Sequence, residues 1–229
     1  MNDLSLVELE VGTYKPPKRN NENIPSEKYD AIDKACKENI VLNKTDGNAY
    51  IPETSFPKII SKKKKSANYI MDNKIAEEDK KSFNNTTLIN TSAVVGYLDK
   101  NSHLTRDAEI AELNRYARDG LISIGDSSQA EAIRRKIDSH VDKELPKLKK
   151  KRNSSFDEIT GEPLEKNAAF HHVNNKEIYN EPQQILDVAN GIVVNPDTHN
   201  EIHRRNIFDG KMLTKQKEDI KKTVLSSKK

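Results

Sequence analysis

His171, His172, Asn190, His199 and His203 are the residues of this chain whose types and spacing could do chemistry. The pattern is His-His, seventeen residues, Asn, eight residues, His, three residues, His. Histidine is scarce, six in 229 residues, and four of the six fall in this window, while His103 and His140 stand apart upstream. Imidazole is the commonest metal-ligating side chain of its kind and titrates near neutrality. The window can therefore hold a divalent metal and supply a general base. His199 and His203 are four apart, which puts both on one face of a helix, one turn from each other. Two imidazoles so placed converge on one ion.

The elements that must position these groups are legible around them. Pro196-Asp197-Thr198 can start the helix, with Pro196 in the first turn and Asp197 or Thr198 capping free N–H groups. Gly191-Ile192-Val193-Val194 is an apolar, β-branched run of strand character, and Ala169-Phe170-His171-His172-Val173 reads as a second strand. Asn190-Gly191 is a common turn dipeptide. The expected local order is strand, loop, strand, helix. Neighbours on an ideal strand point to opposite faces. The backbone at His171-His172 is therefore expected to turn or twist, so that one ring reaches a metal and the other a water.

One further run makes the pattern specific. Asp157-Glu158-Ile159-Thr160-Gly161-Glu162-Pro163-Leu164 resembles the Cys-x-x-Cys-Gly-x-Pro-Leu turn that opens many HNH domains. From about Phe156 to Ile207 the chain resembles the HNH nucleases, the ββα-metal or His-Me finger group. It is closest in pattern to the His-His version of the nuclease-type colicins, with a loop between His172 and Asn190 a few residues longer. The likeness covers roughly fifty residues, under a quarter of the chain. Asp157 and Thr160, then Asn195 and Thr198, stand where such domains carry two cysteine pairs. A structural zinc is therefore not expected, and hydrogen bonds and packing must hold the turn. The resemblance implies that His171, His199 and His203 ligate one divalent metal. His172 would be the general base, and Asn190 would bond across the loop to hold it. It also implies metal-dependent hydrolysis of phosphodiester bonds, in DNA first of all, leaving 5′-phosphate and 3′-hydroxyl ends. Three imidazoles suit Zn²⁺, Ni²⁺ or Mn²⁺, whereas Mg²⁺ prefers oxygen yet serves many relatives of this type. The other reading is a catalytically inactive HNH scaffold that binds nucleic acid or protein.

Charge is distributed unevenly. From Arg152 to Gly210 there are five basic and ten acidic residues, an awkward balance for holding a polyanion. The basic material lies on the flanks, in Lys147-Leu148-Lys149-Lys150-Lys151-Arg152 and after Lys211. Phosphate affinity is expected from those flanks, and Arg204 and Arg205, directly after the metal-type helix, are candidate phosphate contacts. The expected partners are nucleic acid, DNA above all, and an inhibitor or regulatory protein, with no membrane. No apolar run approaches a membrane span, and the start lacks the features of a signal peptide. Cys36 is the only cysteine, so no intramolecular disulfide forms and a reducing compartment is compatible. A cytoplasmic protein is expected, with delivery into a target cell left open.

Only 34% of the residues are hydrophobic, 33% are charged and there is no Trp, which favours small domains joined by polar segments. The expected fold class is α+β, a C-terminal ββα-metal domain behind a mainly helical N-terminal portion. Residues 1–23 read as a flexible lead. Residues 24–100 read as a small α/β or irregular region. Within it a helix is expected from Ser26 to Glu38, a hairpin from Asn39 to Glu53 around Asp46-Gly47, and irregular chain over 57–87. Residues 101–146 read as a helical unit. One helix runs from Thr105 to Arg118 and ends at Gly120; a second opens at a Ser128–Glu131 capping box and stops at Pro146. The nuclease-like domain is assigned to 147–210, and 211–229 to a basic tail with a helix over Thr214–Leu225.

Overall fold

The structure is a computed structural model, and it describes residues 6–8, 13–174 and 182–227. The fold is α+β. The chain divides into two compact units, Met1–Arg135 and Lys136–Lys229.

The first unit holds β1 (Leu6–Glu8), α1 (Ser26–Asn39), β2 (Val41–Asn43), β3 (Ala49–Pro52), α2 (Phe56–Ile59), α3 (Lys64–Lys74), β4 (Lys80–Phe83), β5 (Thr86–Asn90), α4 (Thr91–Leu104) and α5 (Ala108–Gly125). The strands make one antiparallel sheet in the order β1-β2-β3-β5-β4. The N-terminal portion thus carries a five-stranded sheet beside its helices. The β2–β3 hairpin turns at Asp46-Gly47 as expected, with Gly47 at φ +73°. The core joins Leu42, Ile51 and Ile89 of the sheet to Ile32 and Cys36 of α1, Leu98 of α4 and Tyr116 and Leu121 of α5. Cys36 is fully buried, in keeping with an inert thiol.

Three local expectations fail here for physical reasons. The segment 57–87 is ordered, because Phe56, Ile59, Ile60, Ala67 and Ile75 are buried anchors. Asn84 and Asn85, at φ 47° and 60°, form the two-residue turn between β4 and β5. The lead is not loose over its described part: Leu6–Glu8 pairs with β2, and Tyr14 and Arg19 are tied down. Buried Asp33 needs donors, and Tyr14 Oη (2.7 Å), Tyr116 Oη (2.8 Å) and Arg19 Nη2 (3.1 Å) supply them. Residues 1–5 and 9–12 of that lead lie outside the described residues. Gly120 does not end a helix; it sits inside α5, where a Cβ would come within 3.0 Å of the Tyr14 hydroxyl. The helices start at Asn90 and Asp107, whose side chains accept from the N–H groups of Ser92 and of Glu109 and Ile110.

Helix α6 (Ser128–Arg152) runs through the division of the chain. It does not stop at Pro146. A proline inside a helix removes one backbone hydrogen bond and costs about 3 kcal/mol. Beyond it Leu148 is fully buried, and Lys149 Nζ donates to the Ala168 carbonyl at 2.6 Å; these contacts hold the last turns helical.

The second unit continues with β6 (Ala169–His172), α7 (Pro182–Ile185), β7 (Gly191–Val194), α8 (Pro196–Arg204) and α9 (Gly210–Ser227). Strands β6 and β7 pair antiparallel, with His171 opposite Ile192 and His172 opposite Gly191. The last helix is longer than expected and is not a tail. Leu213, Ile220 and Val224 recur at helical spacing and pack with Ile159, Val194, Ile202 and Ile207 into one core. A core ending at residue 210 would leave that apolar face of Ile202 and Ile207 uncovered. Among the described residues, no helix is long and apolar enough to cross a membrane.

Candidate metal centre

A hydrogen-bonded knot sets the position of the site. Asp157 is 1% exposed. Its Oδ1 accepts from the N–H groups of Ile159 (2.9 Å) and Thr160 (2.8 Å), and its Oδ2 from Asn195 N–H at 2.8 Å. Asn195 in turn accepts from Glu165 N–H and donates to the Pro163 carbonyl. Thr160, Asn195 and Thr198 are buried too. The buried Thr198 hydroxyl lies close enough to the Asp157 carboxylate to favour its charged form. Burial alone would raise the Asp157 pKa; the N–H groups of Thr160 and Asn195, the Thr198 hydroxyl and Ile159 N–H outweigh it and hold the carboxyl below its ordinary value. The four positions expected to lack a zinc are thus knotted by one buried carboxylate. The knot fixes the residue that precedes α8, and so the start of the helix that carries His199 and His203.

Strand alternation then sorts the adjacent histidines. His171 faces α8, its ring 5.2 Å from those of both His199 and His203. His172 lies on the other face with Phe170, ring against ring at 5.2 Å. The expected turn of the backbone is absent: β6 stays regular through His172, and the two-residue period alone separates the rings. Gly191 is required here. A Cβ on it would lie 1.9 Å from Phe170 Cζ, so the ring that packs against His172 occupies that space.

His171, His199 and His203 offer nitrogen atoms that all lie within 4.8 Å of one another. His199 Nε2 and His203 Nε2 are 3.3 Å apart. Tetrahedral bonds of 2.0–2.1 Å to imidazole separate ligand nitrogens by about 3.4 Å. The His199–His203 pair therefore already has the spacing of two ligands on one ion, and His171 lies close enough to be the third. Protonation suits that use. Burial, then the neighbouring His199, His203 and His172, push His171 down to about 4, and burial with His203 lowers His199. An unprotonated imidazole presents the lone pair that a metal needs.

His172 is excluded from this cluster and is held differently. Its Nε2 is 2.8 Å from the Ile185 carbonyl oxygen. A carbonyl only accepts, so Nε2 carries a hydrogen, and in the neutral ring the lone pair is on Nδ1. Asn190 makes no hydrogen bond to His172. Its Oδ1 accepts from Asn174 N–H (3.2 Å) and Asn174 Nδ2 (3.1 Å), and its Nδ2 donates to the Gln184 carbonyl (3.5 Å). It thus braces the residue next to Ile185 and acts on His172 through the loop. Residues 175–181 of that loop lie outside the described residues. Sequence reasoning missed Ile185, which contributes a backbone oxygen that no side-chain pattern could signal, and Asn174, whose type and spacing carry no motif.

Arg204 and Arg205 are engaged. Both fold onto Glu201, which is 8% exposed and whose carboxyl Arg204 and Arg205 hold at about 2. Arg205 also reaches Gln216 and Thr223 of α9 and so fastens α8 to α9. Arg205 is thereby a structural pin, while Arg204 keeps an exposed guanidinium. No family model, no curated protein and no solved structure matches the chain.

Proposed function

We propose that the second unit is a metal-dependent endonuclease of the HNH, ββα-metal type that hydrolyses phosphodiester bonds in DNA. The observation that carries the reading is that three imidazoles converge, and a fourth, next in sequence, is held apart with its other ring nitrogen unbonded among the described residues. His171, His199 and His203 would hold the ion. A divalent metal bound there supplies Lewis-acid stabilisation of the negative charge that grows on the phosphate and on the leaving 3′ oxygen. His172 takes the proton of the attacking water at Nδ1, since Nε2 is committed to Ile185. The water oxygen bonds to phosphorus, and the bond to the 3′ oxygen breaks, its electron pair going to that oxygen, which takes a proton from solvent and becomes the 3′-hydroxyl. Asn190 keeps the Ile185 carbonyl in place while the proton moves. Three imidazoles favour Zn²⁺, Ni²⁺ or Mn²⁺, and Mg²⁺ stays a candidate only because it serves many proteins of the type this unit resembles.

The ends of the product test this reaction. Supercoiled plasmid incubated with the protein and a divalent ion should be nicked, and DNA ligase alone should reseal the nicks, because they carry 5′-phosphate and 3′-hydroxyl groups. Absence of nicking with every ion would leave an inactive HNH-type scaffold that binds nucleic acid or protein. Nicks that need end repair before ligation would contradict the assigned bond.

A further inference from the structure

Several cations of the second unit are already engaged. Arg152 forks onto Glu158, Arg204 and Arg205 onto Glu201, Lys147 and Lys151 share Glu144, and Lys149 donates to a backbone carbonyl. Lys211 and Lys215 differ. Both are exposed, one turn apart on α9, and make no ion pair among the described residues. Together they line an open cleft of about 800 Å³ with Asn174, Asp209, Gly210 and Thr214. The cleft is tied through Asn174 to the strand that carries the base. Asn174 lies two residues beyond His172, and its side chain links Asn190 to the backbone N–H of Gly210. Two N–H groups in the first turn of α9 are already taken, that of Gly210 by Asn174 and that of Met212 by the Asp209 side chain. That contact also turns the one acidic side chain of the cleft toward the backbone. The free charge facing the cleft is that of two ammonium groups.

We infer that this cleft binds the backbone phosphates of the DNA strand next to the bond being cut, with Lys211 and Lys215 as the contacts; the substrate rests on the nuclease reading above. This places phosphate capture beside an otherwise acidic site. Lysine suits it, since an ammonium is a mobile point charge that follows a phosphate without fixed geometry.

The test is fluorescence anisotropy of a labelled DNA duplex with the full-length protein in EDTA, repeated over a range of salt. Lys211→Gln/Lys215→Gln should weaken binding about tenfold or more near 0.1 M salt, and should reduce the salt slope by about two, close to one per lost phosphate contact. Lys222→Gln is the matched control. It is exposed on the same helix, about 10 Å further along the axis from Lys215. It should change affinity by less than about threefold and the slope by no more than about one. Equal losses from Lys222→Gln, or unchanged binding by the double variant, would overturn the inference while leaving the nuclease reading intact. Binding by the parent with the expected lysine dependence, but without nicking, would keep the cleft and remove the nuclease reading. No DNA binding by the parent would end both.

Discussion

His172→Ala is expected to nick DNA about 10²–10⁴-fold more slowly than the parent, the usual worth of a positioned general base, while metal affinity is retained. The asymmetry follows from the geometry. His172 lies on the opposite face of β6 from the three converging imidazoles, and its Nε2 is bonded to Ile185. Removing it leaves His171, His199 and His203 in place. His199→Ala should do the reverse and lose metal and cleavage together, because two histidines one turn apart are the helix's whole contribution to the site. Single-turnover nicking, read beside calorimetric metal titration of the same preparations, separates the two roles. If His172→Ala lost the metal, or nicked as fast as the parent, the division between base and ligands would be wrong.

Asp157→Ala is expected to cost the second unit about 3–5 kcal/mol, because it leaves three buried N–H donors without an acceptor and removes a hydrogen-bonded charge. Metal affinity should fall with it, since the knot positions the start of α8. Asp157→Asn keeps the shape and one acceptor oxygen, so it should fold with a smaller loss, measurable by urea denaturation. The same residues set the response to acid. His171 is lowered from 6.5 to about 4 in the folded chain. The unfolded chain therefore takes up its proton first, and stability falls as pH drops from about 6.5 towards 4. Asp157 is also lowered, so its contribution is present above its unfolded value of 3.8 and is lost as pH falls further. In EDTA the urea midpoint should decline over the first window and collapse in the second. A midpoint independent of pH from neutrality to about 4 would contradict the buried neutral state of His171.

What could be read in the sequence was whatever a local period dictates. Four-residue spacing put His199 and His203 on one face, the β-branched run Ile192-Val193-Val194 became β7 and the run read as its partner strand became β6, and Asp46-Gly47 made the turn between β2 and β3. What could not be read depends on partners far along the chain. The polar edge strand β4 has little alternation and is held by its pairing with β5. Pro146 stays helical because residues beyond it are buried. Tyr14 and Arg19 are ordered by a carboxylate on α1. In the site, the ligands were legible as side-chain types. The fixing of His172 was not, because a main-chain carbonyl orients it, and neither was the engagement of Arg205 by Glu201, Gln216 and Thr223.

The most direct test is the rate of plasmid nicking by metal-stripped protein as Zn²⁺, Ni²⁺, Mn²⁺ or Mg²⁺ is added back. For at least one ion the parent should rise from no cleavage to a plateau, and His199→Ala should stay at baseline throughout. Equal nicking by the stripped and the loaded parent, or full activity in His199→Ala, would contradict a metal-dependent nuclease centred on His171, His199 and His203.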